Sequence, residues 1–167
     1  MMNDLTNEQK AIYALLADNV YWDVRKGFEK NESGNDFSNS NWTPVPDGWT
    51  VLGKYDVSGS GINQSSNPDL KGFSARVYQN TDTKEVVIAY EGTDAPDWHD
   101  WIFGNLKSTL GIGSEHLIQA AELYEKVRND MPVGTQITFT GHSLGGGIAN
   151  VMGVWFDRPY FIGDKFT

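Results

Sequence analysis

The sequence contains no cysteine in its 167 residues, which excludes disulfides, zinc–thiolate centres and thiol catalysis. No hydrophobic run approaches the length needed to cross a bilayer, so no integral membrane segment is expected. Basic residues are few: 13 Lys and Arg stand against 22 Asp and Glu, a formal net charge of −9. Such a surface repels phosphate backbones and excludes nucleic acid as a partner. It gives no pull toward anionic lipid either, so contact with a lipid interface would have to be apolar and transient. Met1 to Lys10 lack a basic stretch followed by an apolar region, and no signal peptide is read there. Histidine is the scarcity that bears most on chemistry. The three are His99, His116 and His142, and none follows Ser143.

Aromatic residues, by contrast, are plentiful, with six Trp, seven Tyr and eight Phe; core packing accounts for most of them. Thr6 and Gln9 have capping-box spacing, and Ile12, Leu15, Leu16 and Val20 follow at helical spacing, so residues 6–22 read as an amphipathic helix. Residues 29–48 and 58–68 are polar and rich in Asn, Ser, Gly and Pro, as surface loops are. Alternation over Val51–Val57 predicts a first strand. Phe73, Ala75 and Val77 alternate with polar residues and predict a second, half-exposed one. Residues 85–90 are apolar nearly throughout, as in a central strand covered on both faces. Ser114 is placed to cap a helix with Leu117, Ile118, Ala121, Tyr124 and Val127 on one side, ended by Pro132 and Gly134. A strand around Ile137 and Phe139, a turn over Gly141–Gly147 and a buried helix over Ile148–Phe156 complete the reading. The order of elements predicts one α/β domain over residues 1–167 with a partly parallel sheet.

Gly141-His142-Ser143-Leu144-Gly145 fits G-x-S-x-G. Alone the pattern is weak, but here it follows a predicted strand and opens a predicted helix, as a nucleophile turn requires. On so sharp a turn the residues two before and two after the serine crowd one another, and glycine removes the clashing side chains. The helix that begins there turns its partial positive charge on the site, which favours a developing oxyanion. An ordinary glycine-rich helix cap is the competing interpretation. An oxyanion needs two converging donors: the backbone N–H of Leu144 is one, and the turn after Val86–Tyr90, with Gly92 and Thr93, is placed to give the other.

Val86 to Thr93 (VVIAYEGT), the Asp-Trp segment after it, and Thr138 to Gly146 (TFTGHSLGG) together resemble the class 3 lipase family over about residues 70–155. The resemblance implies an α/β-hydrolase-type sheet with flanking helices, Ser143 as nucleophile, and Thr93 with Leu144 as the oxyanion hole. It implies a lipase-like carboxylic ester hydrolase acting on lipid esters, or a phospholipase A1 or acyltransferase on the same scaffold. A bacterial, secreted protein is also implied. One departure is plain: the family often carries Arg before the Gly-Thr pair, where this chain has Glu91, so the charge network of that loop differs.

Trp98 and Trp101 lie where related lipases carry a lid or its hinge, and are candidate substrate-contact residues; burial in the core is the competing interpretation. His99 with Asp97 and Asp100 offers three metal ligands, but adjacent ligands in a short loop seldom share a face, and no metal or cofactor is expected. Ester hydrolysis by serine needs a base, which in this fold follows the nucleophile as Asp or Glu and then His. His142 is expected to pack, His116 to lie on a helix surface, and His99 is the one internal candidate. Asp157 and Asp164 have no later His to orient. The expectation is therefore a partial lipase domain, truncated after the helix that follows the nucleophile turn, with a non-catalytic hydrolase-like binding domain as the alternative.

Overall fold

A computed structural model describes residues 5–20, 43–58, 73–92 and 114–163. Helix α1 covers Asn7–Asn19, and the capping box forms: the Gln9 amide donates to Thr6 Oγ1 and the Thr6 amide to Gln9 Oε1. The span predicted as a first strand is broken into β1 (Trp49–Val51), a single 3-10 turn (Gly53–Tyr55) and β2 (Val57–Ser58). Strands β3 (Ser74–Asn80) and β4 (Val86–Tyr90) follow, joined by a turn in which Asn80 Oδ1 accepts from the amides of Asp82 and Thr83. Helix α2 spans Ser114–Asp130, β5 Ile137–His142, α3 Ser143–Phe156 and β6 Tyr160–Gly163.

The strands form one sheet in the order β1-β3-β4-β5-β6, with β2 also on β3. Pairings are antiparallel up to β4 and parallel from β4 to β5 and β5 to β6. Two successive parallel crossovers advancing the same way across a sheet put their helices on one face, given the right-handed rule. Accordingly α2 and α3 share a core with Val86, Ile88, Tyr90, Ile137 and Phe139. Helix α1 covers the other face, packing Tyr13, Leu16 and Val20 on Tyr78, Val87 and Ala89.

Two expectations need correction. Strand β3 is not half exposed: Ser74 and Arg76 are each 7% accessible, Ser74 donating to the Val57 carbonyl of β2 and Arg76 to Asn19 at the end of α1. On α2 the buried face runs through Ala120, Leu123, Tyr124 and Val127, while Ile118 is 55% accessible and points outward.

Candidate active site

The predicted turn over residues 141–147 has no turn residues at all. Strand β5 runs through His142, which is extended, and helix α3 starts at Ser143. The chain reverses within Ser143 itself, whose φ is +50°. A serine gains nothing from a left-handed backbone, and such strain persists only where the surroundings impose it. Those surroundings are glycine contacts. A Cβ on Gly141 would overlap the Gly145 carbonyl and lie 2.8 Å from the Gly146 nitrogen. A Cβ on Gly145 would overlap the Tyr90 carbonyl oxygen and lie 2.7 Å from its carbon. On Gly146 it would sit 2.7 Å from Ile162 Cγ2 of β6, whereas on Gly147 it would meet nothing within 4 Å. Gly141, Gly145 and Gly146 therefore let α3 begin in contact with three strands.

Ser143 is half-buried at the C-terminal edge of the parallel strands. Leu144 is buried beside it, in the first turn of α3, where helix amides have no intrahelical acceptor and point at the site. That first turn holds no acidic residue to compete for them. Tyr90, at the end of β4, is in contact with the elbow through its carbonyl, and the chain continues through Glu91 to the buried Gly92. Thr93, Trp98, His99, Trp101 and Asp164 lie outside the described residues. The strands thus bring Ser143 and Leu144 to the end of β4, three residues before Thr93 in the chain.

The described histidines do not face the nucleophile as partners in a triad. His142 is buried on the α1 side of the sheet, its ring against Gly163 of β6, which accords with a packing role. His116 is not on the helix surface as expected. It is half-buried, with its ring 6.2 Å from that of Phe73. Asp157 ends α3 in a left-handed conformation, a full helix length from Ser143. Among the described residues no three His, Asp or Glu side chains converge to hold a metal ion.

A residue that sequence reasoning passed over is Tyr90. It is fully buried, stacked on Phe139 and tilted against Phe73, and burial pushes its hydroxyl pKa well up. Only its neutral form is compatible with that site.

With this geometry in hand, the family described as "Phospholipase-like: Tle-like phospholipase domain" matches residues 12–161. The chain belongs to that family. Within the Tle-like phospholipase domain the matched span reaches from α1 to β6, so it takes in both faces of the sheet as well as the elbow. The domain is 33% identical over 103 residues to an extracellular phospholipase A1 of Serratia liquefaciens, a match over 61% of this chain and 30% of that protein. Among solved structures it resembles the MDLA protein of Penicillium cyclopium in a mutant form, with a TM-score of 0.52 and 16% identity, over 92% of this chain and 58% of that one. A nonglycosylated LIP2 lipase of Yarrowia lipolytica gives a TM-score of 0.51 at 16% identity, over 90% and 55%. The fold is thus of the α/β-hydrolase type, as the lipase resemblance implied, and the domain is lipase- or phospholipase-like. It spans under a third of its curated relative and little more than half of its structural neighbours.

Proposed function

We propose that the chain is the nucleophile-bearing part of a serine ester hydrolase acting on phospholipid esters. The observation that carries this is Ser143 at φ +50° between β5 and α3, with Gly141 and Gly145 packed where no side chain fits. Strain of this kind on a serine at a helix N-terminus presents its Oγ to a substrate, and a capping serine has no use for it. In the proposed reaction Ser143 Oγ attacks the acyl carbonyl carbon and gives its proton to a base. The carbonyl oxygen becomes an oxyanion held by the N–H groups of Leu144 and Thr93. The alcohol leaves with the proton, and water then hydrolyses the acyl-enzyme. Cleavage of phospholipid in particular is inferred from the family and from the Serratia liquefaciens relative, a phospholipase A1.

Residues 1–167 are taken as a single part of one domain, Trp98 and Trp101 as acyl-contact residues at a lipid interface, and secretion as the route suggested by the extracellular relative. The base is His99, or is supplied by polypeptide of the kind that the relatives carry beyond the matched share. The test is hydrolysis of a short-chain nitrophenyl ester and labelling by a fluorophosphonate, each beside Ser143→Ala. Turnover well above the variant establishes Ser143 and places a base within these residues. Labelling lost in Ser143→Ala without turnover establishes the nucleophile and moves the base elsewhere. No labelling of either chain overturns the reading in favour of a non-catalytic binding domain.

A further inference from the structure

Strand β6 ends the sheet among the described residues: β5 pairs with one of its sides and no described strand with the other. The Phe139 amide donates to the Pro159 carbonyl at 3.0 Å, which turns that carbonyl toward β5. Backbone groups alternate along a strand, so the N–H and C=O of Tyr160 and Ile162 point the other way, out of the sheet edge. Native edges of this kind are commonly guarded by a charge, a proline or a bulge. None stands between Tyr160 and Gly163, where the register runs without a break.

The helix beside this edge is equally unguarded. Helix α3 rests on β6, with Gly146 against Ile162 and Gly153 against Tyr160, so both side chains lie on the α3 face of the sheet. One step round the helix from those glycines, Gly147 has open space beside it and Val154 is 67% accessible. Ile162 is itself 47% accessible. Met131 to Phe156 include no Asp, Glu, Lys or Arg, in a chain of net charge −9. A helix without charge on any side belongs where its outer face is covered.

Self-complementarity selects a second copy as the cover. Antiparallel pairing about a two-fold axis at Phe161 sets Tyr160 opposite Ile162 of the second copy, and Ile162 opposite its Tyr160. Each such pair exchanges two hydrogen bonds, so every outward group of both strands is satisfied. The same axis, perpendicular to the sheet, keeps α3 on one face in both copies and turns the Gly147 and Val154 flanks toward each other, as an isologous contact requires. Phe161, partly buried against Tyr13, meets its own counterpart on the α1 face. Charge agrees with this pairing. In sequence β6 is preceded by Asp157-Arg158 and followed by Asp164-Lys165, one acid and one base on each side. Antiparallel strands meet start to end, so no block of like charge is brought together despite the acidic chain.

We propose that this chain associates with a second copy of itself as a two-fold dimer, through the β6 edge and the flank of α3 that bears Gly147 and Val154. The contact uses no residue of the proposed reaction. It is short, and its Kd is expected on the order of 10 µM.

The test is sedimentation velocity over a concentration series, with amide hydrogen exchange read residue by residue at the two ends of it. Wild type is expected to pass from monomer to dimer. The Tyr160 and Ile162 amides exchange freely in the dilute protein and become protected together in the concentrated one. Val154→Lys, which brings two cations together at the axis, raises Kd about tenfold. Ile162→Pro abolishes the dimer, since a proline there removes an outward N–H without touching the bonds to β5. Val133→Lys, a fully exposed residue on the turn before β5, leaves Kd unchanged. A wild type still monomeric at about 0.5 mM overturns the proposal. So does a dimer that gives the Tyr160 and Ile162 amides no added protection, or whose Kd Val154→Lys leaves unchanged. Protection of both amides already in the dilute monomer also overturns it, because another segment of the chain then holds the edge. If Ile162→Pro fails to fold, Val154→Lys and the exchange pattern decide.

Discussion

The two faces of the sheet are held by different means. Toward α2 and α3 the core is almost wholly apolar: Phe73, Phe139, Tyr124, Leu144, Ile148 and Met152 fill it, with Tyr124 edge-on to Phe139 at 5.4 Å. Toward α1 the apolar contacts are interleaved with polar stitches. Tyr13 and Thr138 both donate to Glu85, Thr140 Oγ1 to the Tyr13 carbonyl, and Tyr78 Oη and Arg76 to Asn19. Non-directional burial suits a face that must accept two helices from successive crossovers. Hydrogen bonds suit a single helix that has to lie in one orientation across several strands.

The contrast is open to attack at its strongest point first. Phe139→Ala, on the apolar face, should lower stability by about 4 kcal/mol, the cost of a large buried ring and its cavity. In a thermal melt that is a fall of roughly 10 °C or more for a chain this size. Arg76→Leu, on the stitched face, is expected to cost about 3 kcal/mol, because it takes the buried guanidinium donor from Asn19 and the cation from Asp56 rather than because it removes volume. If Arg76→Leu instead proves neutral, the α1 face is held by packing like the other, and the distinction fails. Tyr90→Phe is the smallest change. The Tyr90 hydroxyl has no hydrogen-bond partner among the described residues, so its removal should leave stability within about 1 kcal/mol, on the stabilising side. A clear loss in a denaturant titration would mean that the hydroxyl is bonded after all, and that the apolar face too has its stitch.

The same contrast explains what could be read without coordinates. Periodicity finds apolar faces, so the α2, β4 and β5 cores were legible, as was the capping box at Thr6 and Gln9; the passage from strand to helix around Ser143 was legible too, though the helix starts at Ser143 and takes in the residues read as a turn. Polar residues on a buried face carry no such mark. Ser74 and Arg76 have the pattern of a solvated strand face, and the acceptors they find once buried, Val57 of β2 and Asn19 of α1, come from elsewhere in the chain. Ile118 satisfied the helical count yet lies just past the edge of the buried stripe. The break at Gly53 was hidden in a run whose alternation continues through it. In the candidate site, the place of Ser143 and Leu144 at a strand-to-helix junction could be read from spacing because that junction is local.

Three glycines in a row at 145–147 look interchangeable as letters, but the structure divides them. Gly145 and Gly146 are pressed against Tyr90 and Ile162, while the space beside Gly147 is open. In a saturation scan the three columns should therefore look unlike one another: the first two nearly empty, the third broadly populated, with alanine enriched there for its helical preference. A region that composition alone labels flexible is, two residues out of three, among the least negotiable ground in the chain, and the tolerance of the last marks where the elbow's steric demand stops.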